Sequence, residues 1–152
     1  MKVLFVCAGN ICRSPLAEGL LKHKALNAGL DWKVDSCATG KWHIGEIPNE
    51  NSIAIAKKNG MDITYQKARQ FHYTDFELFD LIFVMDEYNY GMIVAQAQFE
   101  NEKEKVDYIL NMTSPAENKE VPDPFYGEID GYENVYNMLN EACDKIIETY
   151  GK

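Results

Sequence analysis

No stretch of this chain is apolar for long enough to cross a membrane. The runs Val3–Val6 and Leu81–Met85 have the length of strands. The first lies beside Lys2 but is cut short by Asn10 and Arg13, too early for a signal-peptide core, so a cytoplasmic location is expected. Basic residues are scarce: 15 Lys and Arg against 24 Asp and Glu give a net charge of −9. A nucleic-acid or anionic-membrane binder needs a basic footprint, so neither partner is expected, and a phosphorylated ligand would have to be attracted locally. The three histidines, His23, His43 and His72, are scattered without paired spacing, and no metal site or cofactor is expected. No Gly-Lys-Ser/Thr ending is present, which argues against an ATP-binding loop. Repeats and low-complexity tracts are absent as well. The four cysteines, Cys7, Cys12, Cys37 and Cys143, need no disulfide framework in a cytosolic chain of this size.

What is present reads as one domain of 152 residues, expected to be a monomer. Lys2–Val6, Lys33–Cys37, Leu81–Met85 and Lys105–Leu110 read as strands, the third as a buried central one. Ser14-Pro15 reads as a helix start, with Ser14 at the cap and Pro15 first in the helix. Leu16, Leu20, Leu21 and Ala25 follow at helical spacing, and Gly29 closes the segment. Further helices are expected over 51–59, from Glu87 to about Gln98, and over 131–150, with 112–127 a long loop. Alternation of strands and helices implies an α/β fold: a four-stranded parallel sheet with helices on both faces. Such sheets bind ligands beyond the carboxyl ends of their strands.

At such an end stands Cys7-Ala8-Gly9-Asn10-Ile11-Cys12-Arg13-Ser14. Five residues between Cys7 and Arg13 can curl around one tetrahedral anion. Their amides then form a nest, helped by Gly9 and by Asn10, which tolerates the left-handed region. The following helix adds its positive end, and the Arg13 guanidinium can grip two oxygens at once. The same field favours a nucleophilic thiolate at Cys7, with the Ser14 hydroxyl placed to donate to sulfur. The loop therefore suits phosphoryl transfer through a phosphocysteine. Ala8, Gly9, Asn10, Ile11, Cys12, Arg13 and Ser14 are the candidate phosphate ligands.

Val6 to Pro15 resembles the signature of the low-molecular-weight protein tyrosine phosphatases, Val-Cys-x-Gly-Asn-x-Cys-Arg-Ser-Pro, without a mismatch. Val34-Asp35-Ser36, Trp42, Ala68-Arg69-Gln70, Phe79-Asp80, Met85-Asp86-x-x-Asn89 and Asp123-Pro124-Phe125-Tyr126-Gly127 look like further landmarks of that family. The resemblance implies a flavodoxin-like wrapping of the sheet and a phosphotyrosine-containing protein substrate. It makes Asp123 the general acid and base. Between Pro122 and Pro124, Asp123 is also expected on an extended loop from which it can protonate a leaving oxygen. Trp42, Phe125 and Tyr126 resemble aromatic walls that would stack on a phenyl ring. Cys12 resembles a second cysteine that captures an oxidised nucleophile, whereas Cys37 and Cys143 read as core fillers. Asn10, Ser14 and Ser36 belong to a loop-supporting network. In it the family often carries a histidine two residues before Ala68, where this chain has Gln66.

Other readings remain open on sequence alone. Relatives that act on phosphoarginine resemble this chain but carry threonine in the slot of Ile11, whose apolar branch would crowd a guanidinium. Arsenate reductases of the same fold need a further cysteine pair, which the surroundings of Met85 do not supply. A thiol redox protein using Cys7 and Cys12 is a second class, although four residues separate the two, unlike thioredoxin-type motifs. A module that binds phosphotyrosine without cleaving it would have no use for Asp123. The acidic segment 99–104 reads as a solvated face.

Overall fold

The computed structural model describes every residue except Tyr126 and Glu128. Four parallel strands, β1 (Lys2–Cys7), β2 (Lys33–Ala38), β3 (Leu81–Val84) and β4 (Val106–Tyr108), pair in the order β2-β1-β3-β4. In register, Val3 faces Val34 on one side and Leu81 on the other. Strand side chains alternate between faces, and β1 is apolar at nearly every position because both faces are covered. Val3, Phe5, Cys7 and Phe83 enter one core with Leu16, Leu20, Leu139 and Ile146. Leu4, Val6, Ile82 and Val84 enter the other with Phe71, Phe76 and Ile93. The Phe5 and Phe83 rings stack at 5.9 Å across the central pair.

The helices are α1 (Arg13–Asn27), α2 (Glu50–Lys58), α3 (Asp75–Leu78), α4 (Glu87–Val94), α5 (Glu100–Lys103) and α6 (Ile129–Tyr150). α1 ends as its glycine suggests, with Gly29 at φ 71° just beyond the last turn. α2 starts where Asn49 accepts from the Asn51 N–H at 2.9 Å, and its lysines lie at the negative end. α6 buries Tyr132, Val135, Leu139, Ala142, Cys143 and Ile146 against α1 and its core. No helix among the described residues is long and apolar enough to cross a membrane.

The α/β architecture agrees with the sequence reading, but several boundaries do not. The helix from Glu87 ends at Val94 rather than near Gln98. The fourth strand keeps only Val106–Tyr108, because Ile109–Met112 turn into a 3-10 helix. The short α3 and α5 were not expected, and α5 lies inside the acidic segment, tied by Tyr73 Oη donating to Glu102 at 2.6 Å. The N-terminus of α1 also departs. Its cap is Cys12, with no side-chain capping bond, and helical residues begin at Arg13. Pro15 is therefore third in the helix, where its missing N–H is still harmless.

Gly19 lets α1 approach Ile63: a Cβ at this position would lie 2.6 Å from Ile63 Cγ2. Gly19→Ala gains about 1 kcal/mol of helix propensity but overpacks the core by roughly 1–3 kcal/mol. The expected outcome is a net loss of about 1 kcal/mol and a Tm lower by roughly 2–4 °C in thermal unfolding.

Candidate active site

The loop from Cys7 to Arg13 is shaped by where its carbonyls go. The Cys7 oxygen accepts from the Thr39 amide at 3.0 Å and the Ala8 oxygen from the Gly40 amide at 3.0 Å. The Ile11 oxygen accepts from the Asn49 amide at 2.8 Å, and the Cys12 oxygen from Ser52 Oγ at 3.2 Å. In a trans peptide the N–H points opposite its C=O. Carbonyls tied outward at 7, 8, 11 and 12 therefore turn the amides of Ala8, Gly9, Cys12 and Arg13 inward. The Asn10 amide also points in and donates to Cys7 Sγ at 3.3 Å. This is an anion nest built on a sulfur.

Asn10 stands at φ 58°, in the left-handed region, and four bonds hold it there. Besides its amide bond to Cys7, its Nδ2 donates to Ser14 Oγ at 2.8 Å and to Ser36 Oγ at 2.9 Å, and its Oδ1 accepts from the Arg69 amide at 3.1 Å. Ser36 Oγ donates to Glu18 Oε1 at 2.7 Å. Gln66 Oε1 lies farther from Ser36, at 3.5 Å, while its Nε2 donates to the Pro15 carbonyl at 3.0 Å. Glu18 is the nearer partner of Ser36. Ser14 Oγ lies 3.0 Å from Cys7 Sγ. That contact explains why Ser14 is not the helix cap: its hydroxyl is taken by Asn10 and Cys7, and the free first-turn amides are left for a ligand.

Arg13 is almost wholly buried. Its Nη1 donates to Asp86 Oδ2 at 2.7 Å and to the Val121 carbonyl at 2.9 Å, and its Nη2 lies 3.6 Å from Asp123 Oδ2. Burial opposes its charge, but Cys7 and Asp86 outweigh that, and its pKa lies above the ordinary value. Both hydrogens of Nη1 are spent, so Nη2 and Nε remain to face a ligand. Asp86 is aimed by capping α4, accepting from the Asn89 amide at 2.8 Å. Asp123 is half-exposed and accepts from the Phe125 amide at 3.0 Å.

A pocket of about 440 Å³ is lined by Cys7, Arg13, Asp123 and Ile11, with Trp42, His43 and Phe125 at its sides. Sequence reading puts His43 in a loop and gives it no part in the site. Its Nδ1 meets Glu46 Oε2 at 2.8 Å, its ring is 5.8 Å from that of Phe125, and its edge closes over Gly9, where a Cβ would be 3.0 Å from His43 Cδ2. Trp42 lies over Gly40, where a Cβ would meet the indole at 2.0 Å. Tyr126, also expected as a wall, lies outside the described residues. Asp86, Glu18, Arg69 and His43 had no role assigned from sequence. The available signal was position for Asp86, at the carboxyl end of β3, and a charge within the buried first turns of α1 for Glu18. Cys12 is buried, 3.6 Å from Tyr132 Oη, and burial pushes its thiol up to about 12. Among the described residues no group of His, Cys, Asp or Glu is placed to hold a metal ion.

Comparison with known proteins identifies the family. The family model described as low molecular weight phosphotyrosine protein phosphatase matches residues 2–152. The chain belongs to that family. A low-molecular-weight phosphotyrosine protein phosphatase of Schizosaccharomyces pombe is 40% identical over 98% of this chain and 96% of its own. The crystal structure of a protein tyrosine phosphatase from Entamoeba histolytica superposes with a TM-score of 0.92 at 34% identity, covering 99% of this chain and 97% of that one. The crystal structure of a Drosophila arginine phosphatase superposes at 0.90 with 31% identity, covering 100% and 99%. As a low-molecular-weight phosphatase the chain is a hydrolase.

Iodoacetamide at pH 7 is expected to modify Cys7 alone, as counted by intact mass. Cys12 and Cys143, pushed by burial up to about 12, and the fully buried Cys37 stay as thiols until the chain unfolds. Inorganic phosphate should slow the reaction, and Asn10→Ala should slow it further by releasing Ser14.

Proposed function

We propose that the chain hydrolyses phosphotyrosine on proteins through a phosphocysteine intermediate. The observation that carries this reading is one pocket lined by a sulfur at a nest of amides, a buried guanidinium and a half-exposed carboxyl group. The phosphate dianion sits on the amides of residues 8–14 and on the free edge of Arg13. The Cys7 thiolate attacks phosphorus: the S–P bond forms, the P–O bond to the phenol breaks, and the Asp123 carboxyl gives its proton to the departing oxygen. Water then attacks phosphorus and loses a proton to Asp123, and the P–S bond breaks to release inorganic phosphate. The Ser14 hydroxyl donates to sulfur as it regains its charge. Asn10, Ser14, Ser36 and Gln66 support the loop in this scheme.

Trp42 and Phe125 favour an aryl ester, whose ring reaches between them while phosphate stays on the loop. Phosphoserine is too short to use both. Ile11 is buried at the pocket wall, and its apolar branch leaves a phosphoguanidinium without a polar partner. The likeness to a Drosophila arginine phosphatase makes phosphoarginine the rival substrate. A redox reading is disfavoured because Cys12, with its thiol pushed up to about 12, attacks an oxidised partner poorly near neutral pH. Every group in the scheme comes from one chain, so a monomer suffices, and nothing in it requires a membrane or leads out of the cytoplasm.

Phosphate release near pH 6 from phosphotyrosine, phosphoserine and phosphoarginine checks this directly. Phosphotyrosine alone should turn over, Cys7→Ser should abolish turnover, and Asp123→Ala should lower it roughly 10²–10⁴-fold. Ile11→Thr should raise phosphoarginine turnover at the expense of phosphotyrosine. Preference of the unaltered enzyme for phosphoarginine would overturn the substrate assignment.

A further inference from the structure

Glu18 is a charged side chain on α1 that the reaction scheme does not use, and it is only 4% exposed. Its Oε1 accepts from Ser36, and its Oε2 accepts from Lys22 Nζ at 2.8 Å and from Tyr65 Oη at 2.8 Å. Lys22 Nζ also lies 4.5 Å over the Tyr65 ring. Gln66 Nε2 reaches the same phenol oxygen at 3.4 Å, but a neutral amide cannot balance a buried carboxylate. An exposed Glu-Lys pair one helical turn apart is worth little. Here the acid is buried and, among the described residues, the ammonium is its only cationic partner within salt-bridge distance.

We infer that Lys22 and Tyr65 are positioning residues for Cys7: by holding the Glu18 side chain in place they seat Ser36, the first link of the hydrogen-bond chain that ends at the sulfur. A carboxylate only accepts, and each serine hydroxyl has one hydrogen. Ser36 must therefore give its hydrogen to Glu18 and offer its lone pair to Asn10. Asn10 spends its two Nδ2 hydrogens on Ser36 and Ser14. Ser14, already accepting from Asn10, has its own hydrogen left for Cys7 Sγ at 3.0 Å. The Arg69 amide, donating to Asn10 Oδ1, fixes the same direction, and Glu18 fixes where Ser36 stands.

The groups facing Glu18 are few. α1 supplies Lys22, the segment after α2 supplies Tyr65 and Gln66, and β2 supplies Ser36, whose neighbour Asp35 is paired with Arg69 at 3.0 Å. Burial works against the Lys22 ammonium, but the bond to Glu18 more than compensates, so it stays charged. Burial likewise keeps the Tyr65 phenol protonated and a donor. Without both, Glu18 is buried with only Ser36 as a donor, and its Oε2 is left unsatisfied. The carboxylate then turns out toward solvent, and Ser36 loses the acceptor of its hydrogen. Ser36 is free to rotate away from Asn10 Nδ2, and the amide that seats Ser14 at the sulfur loses one of its anchors.

The inference rests on Cys7 being the proposed nucleophile, and alkylation tests the hydrogen-bond chain without that assumption. The second-order rate of Cys7 alkylation by iodoacetamide is measured from pH 5 to 9 in the wild type, Lys22→Met, Tyr65→Phe, the double variant and Lys22→Arg, with Tm alongside. The double variant is expected to react about tenfold more slowly at pH 6, the change made by moving its alkylation profile one pH unit higher. kcat for an aryl phosphate should fall in parallel while KM changes less, and Lys22→Arg should retain the wild-type profile. An unmoved profile in the folded double variant overturns the inference. So does an equal loss in Lys22→Arg, which would make the role one of packing. An alkylation profile that shifts as expected in a protein without phosphatase activity would sink the proposed function and leave this inference standing.

Discussion

The side-chain amide of Asn10 is the contact on which the rest of the site depends. A non-glycine residue at φ 58° costs of order 1–3 kcal/mol when nothing holds it. Four hydrogen bonds surround this one, to Cys7, Ser14, Ser36 and from Arg69. At about 1 kcal/mol each they offset the strain and leave a margin. The conformation turns the Asn10 amide toward sulfur, and the side chain carries orientation outward to β2 and to the segment at Arg69. Arg69 in turn is clamped by Asp75 and Asp35, both at 3.0–3.1 Å, which places its backbone amide for Asn10. The phosphate loop is thus rigid because two strand ends and a half-exposed arginine held by two aspartates converge on one amide.

The parts of this arrangement legible in the sequence are those with short-range causes. The apolar run of β1, the Gly9-Asn10 turn and the Arg13 spacing are local, and together they announce a loop at a strand end. Asp123 was legible from its flanking prolines together with the family resemblance. The misreading at Ser14 is instructive because the local rule was sound. Serine before proline caps many helices, but here the hydroxyl meets better partners in Asn10 and Cys7, and the cap is left to the ligand.

What was not legible depends on distance along the chain. Asp86 reaches Arg13 across 73 residues, and nothing near either residue marks the pairing. Glu18 has no legible role because Ser36 and Tyr65, which hold it in place, lie 18 and 47 residues away in the chain. His43 enters the pocket wall only because the loop after β2 is stitched back, with the Gly45 amide donating to the Ala68 carbonyl at 2.8 Å. The helix α5 depends on Glu102 accepting from the Gln98 and Phe99 amides at its start, an arrangement that acidic composition alone reads as solvated chain.

For a chain of net charge −9 to grip a dianion as proposed, its attraction must be concentrated and its acids kept out of the way. Arg13 meets both needs. A guanidinium this buried would be costly alone, and Asp86 together with the Val121 carbonyl stabilises it by taking both hydrogens of Nη1. Asp86 therefore consumes one edge of Arg13 and leaves Nη2 and Nε as a fork that would match two oxygens of the proposed phosphate. Asp123 approaches Nη2 at 3.6 Å, beyond a hydrogen bond, so in the proposed scheme it would stand beside the anion without displacing it. One acid thus positions the cation, and in that scheme the other is left to carry a proton. A lysine in place of Arg13 could not serve both, because its single nitrogen would have to divide its donors between Asp86 and the ligand.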